Sequence, residues 1–225
     1  MKKTEFYQRE DVVQNYMDFR YAGKSGAYVN SRELNAVKSL LPEKGRILDV
    51  PCGVGRLTSV LDKDKYHIVG FDYSKAMLRV AGPLYHETAQ GDAAALPFAD
   101  GSFDAVVTLR FFIHYADLKP FLKEFKRVLT HDGVIIFERY RWTPLMFNVL
   151  VRILGGKTFV HGKKKLLRVL EEEGLELVEE RSCFLFSPFV YTRLPYWIVK
   201  TLDAMENLLP DGIRVDNYWK VKRKP

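Results

Sequence analysis

Asp49, Gly53, Gly55 and Asp72 carry the clearest chemical signal in this 225-residue chain. The apolar run 46–50 holds Asp49 near its end. It leads through Pro51 and Cys52 into a Gly53-Val54-Gly55 turn, and Arg56 opens the next segment. Glycines in such a turn let main chain approach a ligand where any Cβ would collide. About one strand-helix-strand repeat later, Asp72 closes a second apolar run, 68–71. An acidic residue so placed can take the two ribose hydroxyls of a nucleoside cofactor. Dehydrogenase loops of related shape want a third glycine and room for a pyrophosphate. Here the third position is Thr58. A carboxylate at Asp49 would repel a pyrophosphate but suit a cationic amino-acid moiety or a ribose.

These residues need a frame that brings them together. Apolar runs at 46–50, 66–72, 85–90, 103–108 and 133–138 read as strands, with helices beginning near Arg56, Ser74 and Asp117. Such alternation predicts a parallel sheet covered by helices on both faces. Ligands of these sheets sit outside the carboxyl ends of the strands, where strand order reverses. Asp49, Asp72, Asp92 and Leu109 each fall at such an end. Upstream, 4–22 is helix-compatible, and Ser31 is placed to cap a helix running to Leu41 and stopped by Pro42. Downstream, helices are expected over 144–154 and 162–173 and a strand over 175–186. An insertion, 187–210, then precedes a last strand through 218–221.

The run from Leu48 to Arg56 strongly resembles the nucleotide-loop motif of class I S-adenosylmethionine-dependent methyltransferases. The likeness continues in order: 69–78 around Asp72 is similar to the family's second motif, 90–98 around Asp92 to the third, 102–107 to the fourth strand, and 125–136 to the helix-turn-strand that follows. It covers roughly 45–138, and its look is that of the quinone-biosynthesis-like subfamily. The resemblance implies a doubly wound Rossmann-like α/β fold of seven strands in the order 3-2-1-4-5-7-6, the last strand antiparallel. Residues 1–225 would form one domain. Within it, 1–42 would make N-terminal helices over the cofactor, 45–138 the cofactor-binding core, and 139–162 and 187–212 helical lid insertions.

On this reading S-adenosylmethionine lies against Asp49, Pro51, Cys52, Gly53, Gly55 and Arg56, with Asp72 and Tyr73 on the ribose. Asp92 and Ala93 would meet the adenine, the alternative for Asp92 being to cap the Ala93-Ala94-Ala95 turn. Met77 is placed near the adenine edge or in plain core. Leu109, Arg110 and Phe111 would line the methionine end. Tyr16 and Arg20 fall where the family's leading helices cover the cofactor, and Arg20 could pair with the methionine carboxylate or make a surface salt bridge. His114 titrates near neutrality and could act as a base, against a structural role at a helix start. Tyr140, Trp142, Phe189 and Trp197 are candidates to line an acceptor pocket, against ordinary core packing.

Composition is that of an ordinary globular protein without a repeat or low-complexity tract. Residues 1–20 are charged throughout, unlike a signal peptide, and no apolar run approaches the ~20 residues of a membrane span. Two cysteines, Cys52 and Cys183, suggest no disulfide framework, so a cytoplasmic location is expected. The net charge of +7 gathers at 163–165, Arg168 and the tail from Lys220 to Lys224. It permits contact with nucleic acid, an anionic membrane surface or an acidic substrate. The expected partner is a small or lipid-like acceptor; a tRNA methyltransferase and a non-catalytic cofactor-binding scaffold are the rivals. Attack on an activated methyl group requires no metal and no dedicated base.

Overall fold

The computed structural model describes residues 9–140, 159–206, 208–209 and 213–225, leaving aside the side chains of Gln14 and Phe19. Seven strands form one sheet: β1 (Gly45–Asp49), β2 (Tyr66–Asp72), β3 (Glu87–Gln90), β4 (Phe103–Thr108), β5 (Leu129–Tyr140), β6 (Leu175–Cys183) and β7 (Asp216–Arg223). Their order is β3-β2-β1-β4-β5-β7-β6. The pairs from β3 through β5 are parallel, while β7 runs antiparallel to both β5 and β6. This is the topology expected, with its reversal point between β1 and β4.

The strands are apolar on both sides because both sides are covered. Ile47, Ile68, Val107 and Ile136 face a helix, α3 (Gly23–Lys38), which contributes Val29, Leu34 and Val37. Leu48, Val69, Val106 and Ile135 face the other way, onto Phe121, Leu122 and Phe125 of α5 (Lys119–Val128) and onto Leu166 and Leu170 of α6 (Lys163–Glu172). Burial of one such side chain is worth about 1.5–3 kcal/mol. Two short helices, α1 (Glu10–Gln14) and α2 (Tyr16–Tyr21), precede α3; α4 (Lys75–Ala81) follows β2; α7 (Pro188–Tyr191) and α8 (Tyr196–Glu206) lie between β6 and β7.

Three local expectations are corrected. The helix expected from Ser31 starts eight residues earlier, at Gly23. Gly23 and Gly26 look like breakers, but a Cβ at Gly26 would lie 2.1 Å from the Tyr21 carbonyl carbon, and Ser25 donates to the Leu194 carbonyl at 2.7 Å. Tertiary contact sets that start. The helix expected at Arg56 is only a 3-10 turn, Arg56–Val60. Thr58 and Ser59 hydroxyls donate back to the carbonyls of Gly55 (2.7 Å) and Arg56 (2.8 Å), taking acceptors that a helix would use. β5 is twice the expected length and carries Tyr140 at its end. The helix expected over 144–154 lies outside the described residues, as does Trp142.

Candidate functional site

The carboxyl end of β1 and the segment after β4 open onto one cleft, and the end of β2 reaches its loop through Asp72. Tyr16, Asp49, Pro51, Cys52, Gly53, Arg56, Leu109 and Arg110 line it, around about 380 Å³ of space counted to its open mouth. Gly53 sits at φ 53°. A Cβ built there meets no atom within 4 Å, so it would project into the free space of the cleft. Its N–H donates to Asp72 Oδ2 at 2.9 Å, and the Ser74 N–H donates to Oδ1 at 2.8 Å. Two main-chain donors thus aim the Asp72 carboxylate, leaving lone pairs on each oxygen for hydroxyl donors.

Gly55 has a different reason to be glycine. It sits at φ 84°, and a Cβ there would also lie 2.7 Å from Leu84 Cδ1 and 3.3 Å from the Tyr85 ring, so its constraint is backbone conformation and packing rather than ligand approach. Gly70 on β2 makes room for the same ring, which a Cβ would meet at 3.0 Å. Tyr85, which pattern reading passed over, is thereby threaded under the loop, and its hydroxyl donates to Asp49 Oδ2 at 2.5 Å. Burial, with Asp72's charge adding, pushes the Asp49 carboxyl up to about 7, against the Tyr85 hydrogen bond and Arg56, which favour the ionised form. Burial also pushes the Cys52 thiol up, with Asp49 and Asp72 adding to the shift. A thiol so held is no nucleophile.

Two residues past the end of β4, Arg110 lies in the left-handed region, at φ 56°. Its guanidinium donates to the Tyr140 hydroxyl at 2.9 Å and pairs with Glu33. Arg56 pairs with the other oxygen of Glu33 at 2.5 Å, donates to Asn30 at 2.7 Å and lies over the Tyr21 ring. Glu33, only 2% exposed, therefore joins α3 to two cleft residues. Nothing in the sequence pattern marked it, because a lone Glu in an amphipathic helix usually faces water.

Other candidates lie elsewhere. Phe111 turns away into an aromatic cluster with Tyr115 and Phe121, at centroid distances of 4.8 and 4.9 Å. Met77 packs with Val13, Val54 and Ala76, as core. Asp92 accepts the Ala94 N–H at 2.9 Å, capping its turn at the exposed rim, with Ala93 buried behind it. Tyr73 is exposed beside Asp72, and Arg20 lies over the Tyr16 ring. His114 lies in the 3-10 turn Phe112–His114, partly buried and not among the residues lining the cleft. Trp197 is 70% exposed and Phe189 is half exposed, because α7 and α8 turn Tyr191 and Val199 inward instead. Neither lines a described cavity. Tyr140 does, together with Phe112, Ile113, Phe137, Phe159 and Val160, in a narrow apolar space beyond Arg110.

Asp72→Ala should weaken a nucleoside ligand by about 1.5–3 kcal/mol, the usual cost of lost charged hydrogen bonds, and should also cost some stability, because the Gly53 and Ser74 N–H groups lose their acceptor. Parent-like affinity in a calorimetric titration would remove Asp72 from the site. Asp49 gives a pH signature. A ligand cation favours its ionised form, so affinity for S-adenosylmethionine should climb as pH rises through about 7. Tyr85→Phe should move that midpoint upward, because it deletes a hydrogen bond to the ionised form. A pH-independent affinity would mean that Asp49 meets no cationic group.

Residues 48–137 match the methyltransferase domain family. Over 159 residues the chain is 31% identical to the demethylmenaquinone methyltransferase of Thermus thermophilus, covering 67% of this chain and 70% of that protein. It is 30% identical over 149 residues to the 2-methyl-6-phytyl-1,4-hydroquinone methyltransferase of Synechocystis sp., covering 61% and 44%. The chain spans about half the length of several curated relatives it matches, between 44% and 61% of each. Among solved structures, an S-adenosylmethionine-dependent methyltransferase of Thermotoga maritima aligns at a TM-score of 0.69 and 21% identity, covering 96% of this chain and 98% of that one. That likeness is one of fold.

Proposed function

The chain belongs to the S-adenosylmethionine-dependent methyltransferase family, and on that premise we propose that it transfers the cofactor's methyl group to a small lipophilic or aromatic acceptor. The observation that carries this reading is the strand-end cleft. Asp72 is aimed for ribose by two main-chain donors, Gly53 leaves free space for a ligand against the backbone, and Asp49 is placed for a cationic moiety. These residues fit the cofactor. When bound, it supplies a sulfonium-activated methyl, so the protein's part is chiefly to position the acceptor and exclude water. Arg110, just past the end of β4 and fixed by Glu33 and Tyr140, would border the reacting end.

Support for an apolar acceptor comes from the Phe112, Ile113, Phe137 and Phe159 side chains beyond Arg110, and from relatives named for hydrophobic ring acceptors. The basic clusters give little support to a nucleic-acid acceptor. Lys163 pairs with Glu180, Lys222 with Glu176 and Lys224 with Glu171, which offsets part of their charge, while Lys164, Lys165 and Arg168 stay exposed. No described helix is long and apolar enough to cross a membrane.

The test is incubation with tritiated-methyl cofactor and fractionated cell extract. Label should enter organic-extractable small molecules. Label confined to RNA or protein would overturn the acceptor class. Cofactor binding without any transfer would favour a scaffold.

A further inference from the structure

Beyond Arg110, the paired ends of β5 and β7 hold a set of buried polar groups that the cofactor cleft does not use. In the antiparallel register Tyr140 stands opposite Asp216 and Glu138 opposite Tyr218. Alternation along each strand puts all four side chains on the sheet face that α3 covers, the face that also carries Ile136. Asp216 is 1% exposed, and Glu138 and Tyr218 are buried too. Both carboxylate oxygens of Asp216, Glu138 Oε1 and the Tyr218 hydroxyl find no hydrogen-bond partner among the described residues. Buried polar atoms are nearly always partnered, so four bare ones on one face of this strand pair point to a ligand.

Charge points the same way. Three carboxyls (Glu33, Glu138 and Asp216) share this interior with two guanidiniums, and both Arg56 and Arg110 are committed to Glu33. Without a further positive charge the pair can stay buried only by retaining protons, and burial indeed pushes both carboxyls up. A cation would replace the proton and supply donors for the idle oxygens. The place adjoins the cleft through the Arg110–Tyr140 hydrogen bond.

We propose that Glu138 and Asp216, with the Tyr218 hydroxyl beside them, form the polar end of the acceptor site and take a protonated amine carried on an aromatic or aliphatic body. This rests on the methyltransferase reading and narrows its acceptor class. The amine's N–H groups donate to the Asp216 and Glu138 oxygens, and the apolar body extends toward the cofactor cleft, past the Arg110–Tyr140 pair on the same sheet face.

The probes are 2-phenylethylamine and its neutral isostere 2-phenylethanol, each titrated calorimetrically into the full chain saturated with S-adenosylhomocysteine. The amine should bind roughly ten-fold or more tightly than the alcohol, the scale of a charge-assisted hydrogen bond. Asp216→Asn and Glu138→Gln should each erase that preference while S-adenosylhomocysteine affinity stays at the parent value. Should Asp216→Asn fail to fold, Glu138→Gln and Tyr218→Phe carry the comparison. Equal affinity for the two probes, no amine binding, or a preference that survives the substitutions overturns the proposal, while intact cofactor binding leaves the methyltransferase reading standing. Failure of the parent chain to bind S-adenosylhomocysteine at all would instead defeat that reading, and this one with it.

Discussion

Gly53→Val should yield a folded protein that binds neither S-adenosylmethionine nor its demethylated product. The φ of 53° at Gly53 is left-handed, and a branched side chain there would occupy the free space of the cleft. The backbone strain costs about 1–2 kcal/mol, which a domain of ordinary stability survives. The fold should therefore persist, by circular dichroism, while the calorimetric signal for cofactor disappears. Gly55→Ala makes the contrasting case. Its Cβ would strike Leu84 and crowd Tyr85, so its first loss should be stability. Parent-like cofactor binding by Gly53→Val would show that the ligand does not run against this loop.

The second large effect is on stability. Glu33→Ala would leave Arg56 and Arg110 buried without their carboxylate, and breaking a buried pair in this way typically costs about 3–5 kcal/mol. At ~2–4 °C per kcal/mol for a chain of this size, the melting temperature should fall by about 6–20 °C. Burial pushes the Glu33 carboxyl up, but Arg110, Arg56 and the Tyr21 hydroxyl outweigh it and hold the group below the usual carboxylate range. A carboxyl lowered on folding stabilises the protein above its unfolded-state pKa, and that contribution fades as pH falls through the folded value. Thermal melts of parent and variant should therefore differ most near neutrality and converge in acid. An unchanged melting temperature at neutral pH would mean that the two guanidiniums are satisfied without Glu33.

Sequence by itself determined the strand-helix alternation, the sheet order that the family resemblance implied, and the placing of Asp49, Gly53 and Asp72 at strand ends. These are local facts: apolar runs of strand length, acidic residues closing them, and glycine where backbone turns sharply. The tertiary structure decided what each residue does with its neighbours. Gly55 and Gly53 look alike in sequence, yet one admits the Tyr85 ring and the other faces the cleft, because their Cβ directions differ once the loop is folded. Phe111 is expected at the methionine end from its position after β4, and only the folded chain shows its ring packed with Tyr115 and Phe121. Trp197 and Phe189 sit in an aromatic run whose periodicity could not show which face α8 and α7 would bury. Glu33, Glu138 and Asp216 lie 16, 89 and 167 residues from Asp49 along the chain, too far apart for any local pattern to join. They become one buried polar interior only when α3 packs on the sheet and β7 inserts beside β5.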